Sequence, residues 1–450
     1  MYTVGEFLIS AKYMENLGIP DLSGVNVRVG HRIVFTKLKA VKKPALKFKY
    51  SLSPQLSETL GLNKEKKMLI RYDREENYIH LGPTIGIIST LLPFNEGETP
   101  TSVKSELIYL GRLAATLPGQ IYLFMPMDIN WEHETVKGYT FTGGSDKWKV
   151  NYYPLPDVIY DRIISRTAEN QENVKYTKER LHKLPYLQYF NPAFLDKWEV
   201  HQSLCRNEKI LPYLPETYEL NEDNLDYMLK KHQFLYVKPN NGSQGRGIIR
   251  ARMDSEGIIQ YSVRRRGGMY KQAKNAAEFI KKTETQRGSK KYIIQQGLNL
   301  LQYNKNSFDL RIIFQKNGRG IWQSSKRFVR LAPKGSTIAN LSNGGRVETS
   351  KKVLSKVLAN GDSIEDKNKQ IDQLCLMVAE TLEKNSSRIF GELGLDIGLD
   401  KNGWPWLIEA NSKPRKTTIS DYSQTIMRKS FRRPLEYAAF LAGFHYYGKQ

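Results

Sequence analysis

Two features are scarce in this 450-residue sequence: cysteines and long uncharged segments. Cys205 and Cys375 lie far apart and lack a metal-type spacing, which argues against a disulfide scaffold and fits a reducing cytosol. No cationic segment followed by an apolar one is visible at the N-terminus, so no secretory signal is expected. The longest uncharged stretch, 77–95, is broken by glycines and prolines. This predicts buried strands around a Gly82-Pro83 turn rather than a transmembrane helix.

Acidic residues are also in short supply. The chain has 46 Asp and Glu against 69 Lys and Arg, which gives a formal net charge of +23. Basic clusters lie at 37–49, 264–274, 281–291 and 428–433. Such a field attracts polyanions, including acidic polymers, acidic proteins, anionic membranes and nucleic acid, although no base-reading motif is present. Two interpretations stay open: a solvated basic surface and a functional polyanion-binding surface.

The composition is otherwise that of a globular protein, with 40% hydrophobic and 11% aromatic residues. A chain of this length is expected to form two or three domains. Apolar patterns predict strands at 25–29 and a hairpin within 68–81, and helical periodicity predicts a long helix at 365–384. Further helical stretches lie within 422–442, where Pro434 is expected to break or kink the helix.

The segment Tyr236–Ile248, YVKPNNGSQGRGI, joins a short apolar strand to a lysine and a glycine-rich loop. Glycine lets backbone N–H groups approach a ligand closely. Successive amides in such a loop form a nest for phosphate oxygens, and Lys238 adds a positive charge beside them. The spacing matches neither a P-loop nor the dinucleotide fingerprint. From this segment alone, a phosphate-binding loop and a purely structural turn both stay open.

A second segment, Gly391–Asn411, predicts a β-hairpin that turns at Asp400–Gly403. With a four-residue loop, an apolar face forms from the opposed pairs Leu399–Trp404, Ile397–Trp406 and Leu395–Ile408. Asp396, Glu409 and Asn411 then share the other face. Three such oxygen ligands suit Mg²⁺, whereas a solvated polar face is the alternative.

Taken in order, these motifs resemble those of ATP-grasp proteins. The glycine loop is followed by Tyr292-Ile-Ile-Gln-Gln-Gly297, Phe308-Asp-Leu-Arg311, Asn340-Leu-Ser-Asn-Gly-Gly345, Asp396 and Glu409-Ala-Asn411. The order and spacing are similar from about Asn191 to the C-terminus. More narrowly, Phe190–Glu199 and Leu214-Pro-Glu-Thr217 resemble the YheC/YheD family of endospore-coat-associated ATP-grasp proteins.

The resemblance implies an α/β fold of the α+β ATP-grasp type for residues 191–450. Residues 96–190 would form a small pre-ATP-grasp-like α/β unit, and residues 1–95 are expected to be a β-rich N-terminal domain. The implied cofactors are ATP and Mg²⁺.

The resemblance also assigns roles to individual residues. Lys238 would contact the α- and β-phosphates, and Lys197 is a candidate second phosphate lysine. The lid over the phosphates would be formed by Gly242, Ser243, Gln244, Gly245 and Gly247. Gln295 and Gln296 would lie at the strand that receives adenine, partly through backbone groups. Arg311 would face the γ-phosphate or the developing acyl phosphate. Near the transferred phosphate would lie Asn340, Asn343 and the Gly344-Gly345 pair. Asp396, Glu409 and Asn411 would hold magnesium.

Each role has a plainer alternative. Gln295 and Gln296 are also ordinary strand residues, Arg311 is also a possible ion-pair partner of Asp309, and 340–345 is also simply a loop.

Two functions follow from the resemblance. The first is an ATP-dependent ligase that activates a carboxylate as an acyl phosphate for attack by an amine, a thiol or a similar nucleophile. The second is a non-catalytic assembly protein of the spore coat that binds nucleotide or a polyanionic partner through the same scaffold. The partners would be a nucleotide, unknown carboxylate and nucleophile substrates, and coat proteins or an acidic polymer. Synthesis is expected in the cytoplasm, with final placement at the developing spore.

Overall fold

The computed structural model describes residues 2–41, 49–63, 66–92, 103–142, 147–242, 245–263, 271–333, 345–358, 363–416 and 424–446. These residues form four β-sheets with helices packed against them. None of the helices in these ranges is both long and apolar enough to cross a membrane.

The first sheet is built from the N-terminal strands in the order β4-β1-β3-β2-β6-β5. The bounds are β1 Glu6–Ser10, β2 Gly24–Val29, β3 Arg32–Val41, β4 Tyr50–Leu52, β5 Leu69–Asp73 and β6 Tyr78–Gly82, with helices α1 Ala11–Leu17 and α2 Pro54–Thr59. Val25, Val27 and Val29 alternate inward along β2, as expected for a strand with one buried face. The strand predicted at 25–29 and the hairpin predicted within 68–81 are confirmed.

The second sheet has the order β11-β10-β8-β7-β12-β13, and a short strand β9 pairs with β10. The bounds are β7 Thr84–Ile88, β8 Gln120–Phe124, β9 Ile129–Asn130, β10 Thr135–Thr142, β11 Lys147–Pro154, β12 Val158–Asp161 and β13 Gln188–Phe190, with helices α3 Val103–Ala115, α4 Arg166–Glu169 and α5 Glu172–His182. β7 and β12 pair in parallel and are buried throughout, which is typical of a sheet covered on both faces.

Strands β6 and β7 confirm the expectation for the uncharged stretch 77–95. They flank Gly82-Pro83, whose peptide bond is cis, and every residue of both strands is buried. Along the sequence, Gly82 is the last residue of the first sheet, and β7 belongs to the second sheet. The division of the chain at 95 and 190 stays a prediction.

The third sheet has the order β14-β19-β15-β16-β17-β18. The bounds are β14 Thr217–Glu219, β15 Phe234–Pro239, β16 Ile249–Met253, β17 Ile259–Val263, β18 Lys271–Ala273 and β19 Tyr292–Gln296, with helices α6 Lys197–Cys205, α7 Glu222–His232 and α8 Ala276–Arg287. Helices α7 and α8 bury Leu225, Leu229 and Phe279 against one face of this sheet. The other face is left to line a cleft.

The fourth sheet has the order β23-β22-β21-β24-β25, and β20 pairs with β21. The bounds are β20 Gln302–Tyr303, β21 Asn306–Lys316, β22 Trp322–Leu331, β23 Arg346–Thr349, β24 Glu392–Leu399 and β25 Pro405–Asn411, with helices α9 Ser350–Val357, α10 Ile364–Ser386 and α11 Gln424–Leu441. Helix α10 confirms the long helix predicted at 365–384 and packs Leu374 and Val378 into the core of this sheet.

Helix α11 continues through Pro434, so of the expected break or kink the break is absent. A proline inside a helix costs about 3 kcal/mol. Phe431, Leu435 and Ala438 of the same helix are buried in the core shared with the second sheet. Burial of a large apolar side chain contributes about 1.5–3 kcal/mol, so this packing is large enough to offset the cost of the proline.

Candidate functional site

A cleft of about 1390 Å³ lies between the third and fourth sheets and is also lined by residues that follow β12. Lys238 of β15 and Gln295 of β19 line the wall formed by the third sheet. Arg311 of β21 and Glu409 of β25 line the opposite wall. The two walls therefore place cationic and acidic side chains from distant parts of the sequence in one space.

Lys197, a candidate phosphate-binding lysine, is the first residue of α6, so the start of this helix sets its position. Asp196 caps α6 by accepting hydrogen bonds from the backbone N–H groups of Trp198 and Glu199, so Lys197 leaves the first turn at the cleft. Its ammonium donates to the carbonyl oxygen of Gly242 at 2.8 Å and lies 3.1 Å from Glu409 Oε1. Lys197 thus joins the start of the glycine loop to the opposite wall.

Lys238 is buried on β15, with 9% of its surface exposed. Its ammonium donates to the side-chain oxygen of Gln295 on the neighbouring strand. Burial lowers the pKa of Lys238 to about 8; Glu409 opposes this shift and Lys197 adds to it. A buried ammonium that has an amide partner and no direct carboxylate contact among the described residues is suited to an anionic ligand.

The hairpin that carries the predicted magnesium ligands has a different register from the predicted one. Asp400 and Trp404 close a three-residue loop through an N–H···O bond of 3.0 Å, and Gly403 has φ of +71°. Leu399 therefore pairs with Pro405 and Ile397 with Leu407, so all three predicted apolar pairs are wrong.

The register error comes from the Asp400 side chain. Its Oδ1 accepts from the backbone N–H groups of Asn402 and Trp404, which stabilises the shorter loop. Its Oδ2 accepts from the indole of Trp406. In the opposed pairs, Leu407 and Ala410 take the core positions that were predicted for Trp406 and Ile408. Trp404 instead stacks on Tyr213 outside that core, with ring centroids 4.8 Å apart.

A β-bulge restores the predicted acidic face. The register shifts between Asp396 and Ile397 because Ile408 is an extra residue on β25, and this brings Glu409 directly opposite Asp396. Asn411 lies opposite Gly394, on the same face. The side chain of Ile408 lines the cleft instead of the core. Asp396, Glu409 and Asn411 thus share a face, as predicted, but through a bulge that was not predicted.

Two arginines and two aspartates form a buried cluster at the floor of the cleft. Arg311 Nε lies 2.5 Å from Asp396 Oδ1, and Arg330 Nη2 lies 2.7 Å from Asp396 Oδ2. Arg330 also binds both carboxylate oxygens of Asp309, at 2.7 and 2.8 Å. Asp309 therefore pairs with Arg330 and not, as in the plainer alternative, with Arg311.

Sequence reasoning missed Asp309 and Arg330 as site residues. Burial raises the pKa of Asp309 to about 6, with Arg330 opposing the rise and Asp396 adding to it. Arg330 lies opposite Asp309 in the β21–β22 ladder. The sequence KRFVRL of β22 would have identified Arg330 as the partner of Asp309 only if the register of β22 against β21 had been known.

The acidic face carries oxygen atoms that fit a magnesium ion. In the described ranges, no group of three or more His, Cys, Asp and Glu side chains is placed to hold one. Asp396 and Glu409 supply two carboxylates and Asn411 an amide oxygen, which is a hard-oxygen set that suits Mg²⁺ with added waters. Although burial raises it, Lys197 and Arg311 hold the pKa of Glu409 below its ordinary value. Glu409 is therefore an anion at neutral pH, as a metal ligand must be.

The remaining predicted residues are placed as follows. Gly242, Gly245, Gly247, Gln295 and Gln296 all line the cleft. Ser243, Gln244, Asn340 and Asn343 lie outside the described residues. Gln295 also donates to Thr217 Oγ1 at 3.2 Å, and the side-chain oxygen of Gln296 accepts from the backbone N–H of Glu216.

A buried polar network fastens the second sheet to the fourth. Arg162 lies 2.9 Å from Glu392 and 3.0 Å from Glu106, and Lys416 Nζ lies 2.9 Å from Glu392. The Tyr160 hydroxyl donates to Glu392 and accepts from Lys416, both at 2.5 Å. These side chains are buried, and Glu392 begins the strand that carries Asp396. The network positions the acidic face of the cleft against the second sheet.

Known proteins are similar to this chain in sequence over most of its length. Residues 186–441 match the family described as YheC/D like ATP-grasp. The endospore coat-associated protein YheD of Bacillus subtilis (strain 168) is 29% identical over 377 residues, which are 82% of this chain and 80% of that protein. The endospore coat-associated protein YheC of the same organism is 28% identical over 358 residues, which are 76% of this chain and 94% of that protein.

Among solved structures, the D-alanyl-alanine synthetase A from Vibrio cholerae O1 biovar eltor str. N16961 is similar, with a TM-score of 0.46 and 13% identity. The alignment covers 80% of this chain and 98% of that chain. The family match itself spans more than half of the present chain and includes both walls of the cleft. The protein belongs to the YheC/D-like ATP-grasp family, and its sheets and helices form an α+β fold of the ATP-grasp type.

Proposed function

We propose that the protein binds Mg-ATP in the cleft and activates a carboxylate as an acyl phosphate for ligation to an amine or a similar nucleophile. One observation supports the proposal: two lysines, two arginines and the three oxygen-bearing side chains of the acidic face all line one cleft. In this proposal Lys197 and Lys238 would bind the α- and β-phosphates, and Arg311 and Arg330 would bind the transferred phosphoryl group.

The reaction proceeds by two displacements. An oxygen of the substrate carboxylate attacks the γ-phosphorus, the bond from that phosphorus to the bridging oxygen of ADP breaks, and ADP leaves with the electron pair. The nucleophile then attacks the acyl carbon, phosphate leaves with the electrons of the carbon–oxygen bond, and the nucleophile loses a proton to solvent. No protein side chain becomes covalently attached, so the protein acts by positioning and by electrostatic stabilisation.

Ion pairs within the chain hold the charged side chains of the site against one another. Lys197 is held by Glu409, and Arg311 and Arg330 are held by Asp396. On binding, the phosphates take over the cations, and the two carboxylates with Asn411 become available to Mg²⁺. Mg²⁺ bound there would neutralise phosphate charge and polarise the reacting phosphoryl oxygens. This exchange would keep the charges of these ion pairs compensated in both states.

The similarity to endospore coat-associated proteins supports a role of this activity at the spore coat. A coat protein or a cell-envelope component would then be the ligation partner. The alternative is the non-catalytic coat-assembly role, in which nucleotide binds but is not turned over.

The test combines binding with turnover. We expect calorimetry to show magnesium-dependent ATP binding that is lost in Glu409→Gln and in Asn411→Ala, because the first removes a negative charge from the acidic face and the second removes an amide oxygen. Glu365→Gln on α10 is the matched control, since Glu365 is 79% exposed and does not line the cleft. Circular dichroism melts check that all variants are folded.

Unchanged binding and turnover in both site variants would refute the metal assignment. ATP binding without release of ADP in the presence of any carboxylate and nucleophile would favour the non-catalytic role. No ATP binding by the folded wild type would refute the proposal as a whole.

A further inference from the structure

The cleft holds far more positive charge than ATP requires. Among the described residues that line it, eleven are Lys or Arg and three are acidic, namely Asp309, Asp396 and Glu409. ATP carries about four negative charges at neutral pH, and a bound Mg²⁺ offsets part of them. A cationic surplus therefore persists after Mg-ATP is bound. A cleft of one sign focuses its field and concentrates a substrate of the opposite sign.

The pairs within the cleft do not absorb the surplus. The three acidic residues are held by Lys197, Arg311 and Arg330. Lys413 also lines the cleft, but its ammonium is buried between Asp161 and Glu169 and is satisfied there. The surplus that faces the cleft thus comes from other residues, mainly arginines on both walls.

Two of these arginines lie side by side on β16. Arg250 and Arg252 are two residues apart, so their side chains share the face that lines the cleft. Their guanidinium carbons each lie 5.4 Å from the centre of the Phe234 ring. The Nε of Arg250 is buried and lacks a hydrogen-bond partner within the described structure. A half-buried guanidinium whose Nε is an unsatisfied donor beside a cleft is suited to bind a carboxylate.

A third arginine lies near the phosphoryl end of the cleft. Arg166 follows the second sheet, packs on Phe194 with its guanidinium carbon 4.6 Å from the ring centre, and donates to Asn241 at 3.2 Å. Asn241 precedes Gly242, to which Lys197 donates. Arg166 is therefore placed where a substrate could reach both the glycine loop and the reacting phosphate.

We propose that the carboxylate substrate is an acidic peptide segment that is rich in Asp or Glu. One carboxylate reacts, and its neighbours bind Arg166 near the phosphoryl end and Arg250 and Arg252 on the opposite wall. Alternate side chains of an extended peptide are about 6.6 Å apart, which matches the two-residue spacing of Arg250 and Arg252. The proposal rests on the proposed function, which requires a carboxylate, and this requirement disfavours nucleic acid as the substrate.

The size of the cleft supports a chain-like ligand. Its volume of about 1390 Å³ exceeds the roughly 300–1,000 Å³ of ordinary small-molecule sites. The space accommodates ATP together with a second, extended ligand. A single amino acid would leave much of the cationic surface uncovered.

The experiment measures acyl-phosphate formation by the full chain with Mg-ATP and hydroxylamine, which traps acyl phosphates as hydroxamates. The acceptors are an end-blocked decaglutamate peptide, free glutamate at equal carboxylate concentration, and a decaglutamine peptide. We expect hydroxamate and ADP with decaglutamate, at a KM about tenfold lower than that of glutamate because several sites engage one chain. Decaglutamine should give neither product.

Variants that each remove one positive charge test which arginines contact the peptide. Arg252→Gln and Arg166→Gln should each raise the KM for decaglutamate several-fold, while the ATP dissociation constant measured by calorimetry stays unchanged. Lys230→Gln removes the same charge from an exposed position on α7 and is the control. Anisotropy of a fluorescent decaglutamate peptide gives a binding readout that does not depend on turnover.

The outcomes separate the two proposals. If ATP does not bind, the proposed function fails. If ATP binds but glutamate serves as well as decaglutamate, or if Arg252→Gln and Arg166→Gln leave peptide binding unchanged, the acidic-peptide inference fails alone. An oligonucleotide of equal charge that binds the cleft more tightly than decaglutamate would also overturn it.

Discussion

The burial of Lys238 predicts a specific pH dependence of ATP binding. Its pKa is lowered to about 8 because its ammonium lies on β15 among the groups of the cleft wall, away from water. Phosphates favour the charged form, so nucleotide binding raises this pKa and takes up a proton. ATP affinity should therefore be fully present below pH 8 and should be lost as the pH rises through 8.

The magnitude follows from the fraction of protonated Lys238. About nine-tenths of the side chain is charged at pH 7 and about one-tenth at pH 9, for a pKa near 8. The ATP dissociation constant should accordingly rise about tenfold between these pH values, which is a loss of about 1.4 kcal/mol. At pH 8, binding should take up about half a proton per ATP.

Isothermal calorimetry in buffers of different ionisation enthalpy measures both quantities. Lys238→Arg is the key control, because a guanidinium stays charged and should remove the pH dependence even if the affinity itself is weaker. The control matters because the pKa of buried Lys416 is also lowered to about 8, through burial, in the network beside the second sheet. Retention of the wild-type pH profile in Lys238→Arg would assign the titration to another group.

The stability of the folded protein changes with pH in the opposite direction. A loss of folded protein therefore cannot account for weaker ATP binding above pH 8. The folded pKa of Lys238 lies below its ordinary value of 10.5, so the unfolded chain binds more protons between these values. This residue therefore makes the folded state more stable as the pH rises from about 8 to 10.5. An ATP dissociation constant that stays constant from pH 7 to pH 9, with no proton uptake, would refute the reasoning.

Two further substitutions test the surroundings of the site. Glu392→Gln leaves Lys416 without its buried carboxylate and Arg162 with Glu106 alone, and urea denaturation should show a loss of about 3–5 kcal/mol in unfolding free energy; a loss below about 1 kcal/mol would show that the network is not important for stability. Gly394→Ala places a Cβ 2.9 Å from Arg311 Nη1 and 2.7 Å from Pro414 Cβ, and displacement of Arg311 should reduce ATP turnover up to about a hundredfold. Wild-type turnover in that variant would mean that Pro414, and not Arg311, gives way.

The sequence predicted the regular elements well where one periodicity dominates. The helix at 365–384 and the hairpin within 68–81 both follow from apolar spacing, and both are present as α10 and as β5 with β6. Pro434 does not break α11, because the burial of this helix between two sheets outweighs the low helix propensity of proline.

The candidate site shows where sequence reasoning reaches its limit. The acidic face was predicted from the alternation along one hairpin, yet the assumed pairing was wrong by one residue up to the bulge at Ile408 and by two residues beyond it, which returns the side chains to the predicted face. A bulge depends on packing on both faces of a sheet and has no local sequence signature here. Arg330 and Asp309 meet only through the β21–β22 register, so their pairing was not predictable from either strand alone.

Strand β24 carries Glu392 at its start and Asp396 four residues later, so the anchoring network and the acidic face are parts of one rigid element. The second and fourth sheets are therefore held together around the acidic face by buried ion pairs. The third sheet contacts this part of the molecule across the cleft through Arg166–Asn241 and through the hydrogen bond from Lys197 to Gly242. A ligand that binds Arg166 or Lys197 would compete with these contacts, so we expect its binding to loosen the third sheet from the rest of the cleft.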